Sequence, residues 1–183
     1  MSKKKKSPHY VCTYDEARKM SAKFGRFWVS NCGCREGGKG CKRSRMDVCL
    51  FFVKYKQGSG SGIHPVSRRF VDGIFKEAKK KHLVARPFYD FNNMSKDGGI
   101  CFCCDDCCGY FHSNKWTCGK GKFIEKTDKK TCTNCGDCVK VCYFKARRMR
   151  YGKLVVQKKN CYGCGLCIDV CPEKCIQMVL RNK

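Results

Sequence analysis

The sequence predicts an α+β fold with two parts: a small, mainly α, cysteine-rich N-terminal unit and a C-terminal module with pseudo-two-fold symmetry. Three observations support this prediction. The chain of 183 residues contains 20 cysteines. Two cysteine runs between residues 132 and 171 repeat each other at a constant offset of 29 residues. Residues 67–82 have the apolar spacing of an amphipathic helix, with Ser67 at the N-cap position.

The chain divides into a lysine-rich basic tail (1–9), a cysteine-rich unit expected to bind metal (10–120) and the C-terminal module (121–183). Within the cysteine-rich unit, apolar spacing predicts another helix at 14–24 and a short strand at 27–29. The glycine- and serine-rich residues 57–62 are typical of a flexible turn or a short linker.

Both repeated runs have the spacing C-x2-C-x2-C-x3-C. Three closely spaced thiolates on one loop can bind three irons of a [4Fe–4S] cubane, whereas the fourth cysteine points away from that loop and suits the other cluster. The spacing therefore predicts two [4Fe–4S] clusters with interleaved ligands. Cluster 1 would be bound by Cys132, Cys135, Cys138 and Cys171, and cluster 2 by Cys161, Cys164, Cys167 and Cys142.

On these two runs, residues 122–182 resemble the bacterial two-cluster [4Fe–4S] ferredoxins. The resemblance implies a βαββαβ module with an antiparallel pair of outer strands, near 122–126 and 176–180. A hairpin that turns at Tyr151-Gly152 is expected between the two halves, and a short helix in each half after its third cysteine.

Two positions depart from these ferredoxins. Tyr143 replaces the proline that usually follows the fourth cysteine of a run, whereas Pro172 is present in the second run. Cys175 lies 29 residues after Ala146, where a small alanine is usual. We expect Cys175 to be a buried packing residue, and exchange with a cluster ligand is the alternative.

The N-terminal unit has two further cysteine groups. The first has a C-x-C pair and glycine-rich spacing, and it comprises Cys32, Cys34, Cys41 and Cys49. Four such thiolates can close around one iron–sulfur cluster, and they serve Zn²⁺ equally well. The second group comprises Cys101, Cys103, Cys104, Cys107 and Cys108, with Cys118 beyond it. Because neighbouring side chains point in different directions, the second group should not all serve one centre; it would complete the first site or hold a further cluster.

The N-terminal motifs resemble a family of iron–sulfur proteins of anaerobes. The matching residues are Cys32-Gly33-Cys34-Arg35, Asp47-Val48-Cys49-Leu50 and the block from Cys101 to Cys108, with a basic helix before that block. The resemblance implies that residues 10–120 form one unit built around metal, in front of a two-cluster ferredoxin.

The chain is strongly basic, with a formal net charge of +25 from 40 Lys and Arg against 15 Asp and Glu. This charge favours a redox partner with an acidic docking surface, although nucleic acids and anionic membranes are attracted by the same property. No apolar run approaches the ~20 residues of a transmembrane helix, and no secretory signal is recognisable. We expect a cytoplasmic location, where thiols stay reduced and free for metal.

These features predict an electron-transfer iron–sulfur protein that passes single electrons between redox partners as a subunit of a larger oxidoreductase complex. Positive charge near the clusters predicts higher potentials than in acidic ferredoxins. The first alternative is a redox enzyme with an unusual or open-site cluster in the N-terminal unit; no nucleophile triad, phosphate loop or carboxylate pair supports other catalysis. The second is a nucleic-acid-binding iron–sulfur protein, suggested by the charge and by aromatic residues such as Phe24, Trp28 and Trp116, although no binding motif is recognisable.

Overall fold

The structure is a computed structural model that describes residues 7–38, 40–112 and 118–182. Most of the predicted basic tail, residues 1–6, and Trp116 therefore lie outside the described residues. Within the described part, no helix is long and apolar enough to cross a membrane.

A five-stranded antiparallel sheet forms the centre of the N-terminal unit, in the order β3-β1-β2-β5-β4. Its strands are β1 (Phe27–Ser30), β2 (Cys49–Phe51), β3 (His64–Val66), β4 (Val84–Asp90) and β5 (Asn93–Cys103). The helices are α1 (Tyr14–Ser21), α2 (Gly33–Glu36), α3 (Arg68–Lys80) and α4 (Gly109–His112).

The prediction that this unit is mainly α is therefore wrong. Strands β1, β2 and β3 have three or four residues each, too few to show an alternating pattern. Strand β4 is buried at six of its seven positions, so its sequence lacks the polar alternation of a half-exposed strand. The last residues of β5 belong to the cysteine block. The spacing of these cysteines indicates metal ligands and gives no clear strand pattern.

Both predicted helices and the strand at 27–29 are confirmed. Helix α1 begins with a capping box, because the Thr13 hydroxyl accepts from the Glu16 N–H and the Glu16 carboxylate accepts from the Thr13 N–H. It ends at Ser21 rather than at 24. Helix α3 is capped by Ser67, whose hydroxyl accepts from the Phe70 N–H at 3.2 Å. Its buried face consists of Val71, Ile74, Phe75 and Ala78.

Residues 57–62 form a loop outside the helices and strands, and two of its glycines lie against neighbouring residues. A Cβ atom on Gly58 would collide with the Ser30 side chain, and one on Gly60 would meet the Asn31 carbonyl oxygen. The Ser59 hydroxyl accepts a hydrogen bond from the Gly33 N–H at 3.2 Å. The loop therefore lies against the turn that carries the first C-x-C pair.

The C-terminal part has the element order β-α-β-β-α-β. Its elements are β6 (Phe123–Thr127), α5 (Asp137–Lys140), β7 (Arg147–Arg150), β8 (Lys153–Val156), α6 (Leu166–Asp169) and β9 (Ile176–Leu180). Strands β6 and β9 pair antiparallel, and β7 and β8 form a hairpin. The hairpin turns at Tyr151 and Gly152, with φ angles of 48° and 70° that suit a type I′ turn.

The backbone of the two halves repeats at the spacing of the cysteine runs. Gly136 and Gly165 precede α5 and α6 with φ angles of 84° and 79°. Lys145 and Lys174, which follow the fourth cysteine of each run, have φ angles of 55° and 48°. Each half therefore bends its chain at equivalent positions around its cysteines.

The two parts share one hydrophobic core. Val141, Tyr143 and Leu166 from the C-terminal part belong to the same buried cluster as Leu83 and Phe102. A separate small core in the C-terminal part consists of Cys138, Cys175 and Ile176.

Candidate metal centres

Two cavities of the C-terminal part divide the eight repeated cysteines four and four. The first cavity is lined by Cys132, Cys135 and Cys138 from the loop before and within α5, and by Cys171 from beyond α6. The second is lined by Cys161, Cys164, Cys167 and Cys142. Each cavity thus combines three cysteines of one run with the last cysteine of the other, as interleaved ligation requires.

A buried ion pair lies beside both cavities. Arg147 and Glu125 have side chains that are 1% and 3% exposed and are hydrogen-bonded to each other. Arg147 Nη1 also donates to Cys138 Sγ at 3.4 Å. Burial alone would lower the pKa of Arg147, but the nearby Cys167, Glu125 and Cys138 raise it. A permanent positive charge is thus held next to thiols of both cavities, and much of it is compensated by the carboxylate.

Burial favours the protonated form of two thiols of the second cavity, Cys164 and Cys167. It raises the pKa of Cys167 to about 12 and raises that of Cys164 even further. Metal binding must then displace these protons, so assembly of this site is coupled to proton release.

Cys175 lies beside the first cavity. Its Sγ atom is 3.4 Å from Cys171 Sγ, and the residue is 7% exposed. It is buried, as expected of a packing residue, but it also presents a fifth thiol to the four of that cavity.

The N-terminal unit contains a larger cavity of about 480 Å³. Six cysteines line it, together with His9 and Arg86: Cys32, Cys34, Cys101, Cys103, Cys107 and Cys108. Arg86 is only 3% exposed. Its guanidinium donates to the sulfur atoms of Cys108 at 3.3 Å, Cys103 at 3.6 Å and Cys118 at 3.4 Å. A buried cation surrounded by sulfur favours thiolates or an anionic centre over neutral thiols.

Cys41 and Cys49 have close sulfur neighbours outside the first group. Cys49 Sγ lies 3.7 Å from Cys101 Sγ, because the pairing of β2 with β5 brings these two residues together. Cys41 lies next to Cys104 and Cys107. A site formed by Cys32, Cys34, Cys41 and Cys49 together stays a prediction.

Neighbouring cysteines of the second group do face different surroundings, as expected. Cys103 and Cys108 contact Arg86, whereas Cys104 and Cys107 face Cys41 with sulfur distances of 3.6 Å from Cys41 to Cys104 and 3.7 Å from Cys104 to Cys107.

Sequence reasoning missed several residues that contact cysteines. His9, assigned to the tail, has Nε2 3.8 Å from Cys101 Sγ and packs on the Phe88 ring. Arg35 and Arg86 are buried beside thiols. Among the 40 basic residues, Arg35 was distinguished only by its place in the C-x-C-R motif. The sequence contains no signal that distinguishes Arg86.

One comparison with known proteins gave a match. Residues 124–172 match the family model described as a 4Fe-4S dicluster domain. Neither the curated proteins nor the solved structures yielded a match to the chain. The matched segment contains the hairpin and both repeated cysteine runs. The chain therefore contains a ferredoxin-type iron–sulfur domain.

Proposed function

We propose that this chain is an electron-transfer protein whose C-terminal part binds two [4Fe–4S] clusters, and that it works as a subunit of a larger oxidoreductase in a reducing cytoplasm. The observation that carries the proposal is the pair of cavities, each lined by three cysteines of one run and one of the other, within the dicluster match. When bound, the clusters supply one-electron redox chemistry. The chain supplies ligands, spacing and burial.

The ligand sets follow from the cavity linings. We assign Cys132, Cys135, Cys138 and Cys171 to cluster 1, and Cys161, Cys164, Cys167 and Cys142 to cluster 2. The pseudo-two-fold relation of the halves, supported by the repeated backbone bends, gives each cluster an equivalent loop.

The two sites have different positions relative to the N-terminal unit. Phe144 and Tyr162, which line the second cavity, stack with ring centroids 4.2 Å apart. Phe111 of the N-terminal unit packs on Phe144 at 5.3 Å. By contrast, Cys135 of the first cavity is exposed. Cluster 2 is therefore the inner site and cluster 1 the outer site of the proposed electron path.

The outer site has a basic rim suited to an acidic partner. Leu154 of the β7–β8 hairpin lines the first cavity, and its N–H donates to Asn134 Oδ1 in the cysteine loop at 2.9 Å. Arg148, Arg150 and Lys153 of this hairpin are exposed. Charge complementarity of this kind steers encounter and orients the partner.

An EPR-monitored redox titration of the anaerobically purified full chain tests the proposal. We expect two one-electron transitions and spin–spin interaction between two reduced clusters, with about eight irons and eight sulfides in the module. Replacing Cys164 with serine should remove or alter one signal and leave the other. A chain that contains no iron after anaerobic purification, or one with a single transition and about four irons, would contradict it.

A second candidate function is redox catalysis at an N-terminal iron–sulfur cluster with an open iron. The cavity of about 480 Å³ favours it, because there is room for a ligand beside a metal centre bound by cysteines such as Cys34, Cys103 and Cys108. A change in the EPR spectrum upon cyanide addition, lost in Cys34→Ser and retained in Cys164→Ser, is the expected result. An unchanged spectrum would contradict this candidate and leave the electron-transfer proposal intact.

A further inference from the structure

We propose that Cys41, Cys104 and Cys107 bind a single Zn²⁺ ion, at a site separate from the iron–sulfur centres. Such an ion would bind whether or not the C-terminal part transfers electrons. The spacing of the cysteines along the chain is compatible with either one ion or a cluster at this place.

The sulfur geometry fits one ion. Cys41 Sγ lies 3.6 Å from Cys104 Sγ, which lies 3.7 Å from Cys107 Sγ, and all three sulfurs are within 4.8 Å of one another. Thiolates at about 2.3 Å from one tetrahedral ion lie about 3.8 Å apart, the edge of the tetrahedron. The observed distances therefore match ligands that share an ion.

The same criterion separates this trio from the proposed cluster ligands. In the described part of the chain, no other three His, Cys, Asp or Glu side chains have ligand atoms within 4.8 Å of one another. No three of the eight cysteines that line the C-terminal cavities have sulfur atoms this close together. Each thiolate ligand of a cubane binds a different iron, so the sulfur atoms of these ligands lie far apart. Thiolates that share one ion must lie close together.

The surrounding backbone holds the trio in place. Cys104 and Cys107 form a C-x2-C turn just after β5, in which the Cys108 N–H donates to the Cys104 carbonyl at 3.3 Å. Cys41 comes from the loop between α2 and β2. The Lys42 N–H donates to Asp106 Oδ2 at 2.9 Å, which ties this loop to the turn. The two segments are 63 residues apart in sequence, so an ion would cross-link distant parts of the unit.

A buried arginine provides the second, independent indication of an anionic centre. Arg35 is 1% exposed, and its Nη2 donates to the Phe102 carbonyl at 3.0 Å. Its Nε is buried and has no hydrogen-bond partner in the described part of the chain, while the guanidinium contacts Cys107. Zn²⁺ with three thiolates carries a net charge of −1, which Arg35 would neutralise.

The carboxylate of Asp106 accepts from the Lys42 N–H and is not among the ligand atoms that lie within 4.8 Å of one another. We therefore expect three sulfur ligands and a water oxygen as the fourth.

Such an ion would fix the N-terminal unit against the inner cluster site. Arg43, two residues after Cys41, pairs with Asp105 at 2.8 Å and donates to the Tyr143 hydroxyl at 2.7 Å. Tyr143 directly follows Cys142, which lines the second C-terminal cavity.

Metal analysis of the anaerobically purified full chain tests the proposal. Zinc, iron and acid-labile sulfide are measured on the same sample, for the unsubstituted chain and for Cys41→Ser, Cys104→Ser and Cys107→Ser. The matched control is Cys103→Ser, which replaces the adjacent cysteine that contacts Arg86. We expect about one zinc per chain, at least a fivefold loss of zinc in each trio variant with iron and sulfide unchanged, and full zinc in the control. Parallel loss of iron and sulfide in the trio variants, or no zinc in the unsubstituted chain, would overturn it.

If the variants fail to fold, zinc X-ray absorption spectroscopy on the unsubstituted chain tests the site without them. Three sulfur neighbours at about 2.3 Å and one lighter neighbour at about 2.0–2.2 Å are expected. Four sulfur neighbours, or an iron neighbour, would overturn the assignment.

Discussion

The N-terminal and C-terminal cysteines differ in what surrounds them. The N-terminal cysteines lie in the unit that supplies most of the large apolar core, with residues such as Val29, Leu50 and Ile74. In the C-terminal part, two of the three members of the separate buried core are themselves cysteines, Cys138 and Cys175. Where thiols replace aliphatic side chains, the metal must supply the cohesion that a hydrophobic core supplies elsewhere.

Iron removal is the largest expected effect and separates the two regions. After oxidative destruction of the clusters and anaerobic chelation, the β6–β9 pair should lose its amide protection in hydrogen exchange, because the C-terminal core depends on bound metal. The β4–β5 pair should keep protection, since it packs in the apolar N-terminal core. Retention of β6–β9 protection, or loss of both pairs together, would break the comparison.

Substituting the fourth ligands gives the next largest effect. Cys142→Ala should remove about half of the module's iron, because its cluster loses a ligand. Cys171→Ala should lose less iron, because Cys175 Sγ lies 3.4 Å from Cys171 Sγ and can replace it. The double variant Cys171→Ala/Cys175→Ala is the control and should match Cys142→Ala in iron analysis. Equal iron loss in both single variants would contradict a ligand role for Cys175.

The two regions also differ in the partners of their buried arginines. Arg147 is paired with the buried Glu125, whereas the described partners of Arg86 include three cysteine sulfurs. Arg147→Gln should lower the free energy of unfolding by about 3–5 kcal/mol, because it leaves a carboxylate buried without a cation. Denaturant unfolding under anaerobic conditions measures this.

Two variants control for that result. Arg148→Gln, at an exposed position, should change stability little. Arg147→Gln/Glu125→Gln should recover most of the loss. If Arg147→Gln is as stable as the unsubstituted chain, Arg147 is not needed to offset the cost of burying the Glu125 carboxylate.

The contact between the two regions should give a smaller effect. Tyr143→Phe removes the hydrogen bond from Arg43 to the Tyr143 hydroxyl but keeps the ring under the guanidinium. We expect a loss of about 1 kcal/mol in thermal unfolding and unchanged iron content. Loss of iron would instead give the Tyr143 hydroxyl a role in the inner cluster site.

The smallest expected effect depends on pH. Hydrogen bonds from Arg45 hold the pKa of Asp47 below its usual value. A lowered carboxyl pKa stabilises the fold above the unfolded value of about 3.9, and this contribution disappears as the pH falls through the folded pKa. Asp47→Asn should therefore cost at most about 1 kcal/mol at pH 7, since the pair is on the surface. The cost should fall towards zero below about pH 4; a cost that is the same at pH 7 and pH 3 would refute the ion-pair explanation.

The parts of the fold that depend on local sequence could be predicted. The Ser67 cap, the amphipathic face of α3 and the Tyr151-Gly152 turn each depend on a few adjacent residues. The N-terminal sheet could not, because its short strands pair across long separations, such as Trp28 with Pro65.

The same distinction applies to the sites. The repeated runs place three cysteines of each cavity on one loop, so spacing alone was enough to predict that they act together. The trio joins Cys41 to residues 104 and 107, and Cys49 meets Cys101 only through sheet pairing. In the sequence, Arg35 and Arg147 cannot be told from surface arginines, whereas both are buried in the structure.

The central claim is that the C-terminal cysteines bind two cubanes. Mössbauer spectroscopy of the ⁵⁷Fe-enriched full chain, purified anaerobically, tests it most directly. The account predicts that the iron of the module is in diamagnetic [4Fe–4S]²⁺ clusters, about eight irons per chain with equal sulfide, and that Cys142→Ala halves this signal. Mononuclear high-spin iron without sulfide, or zinc in place of iron in the module, would contradict it.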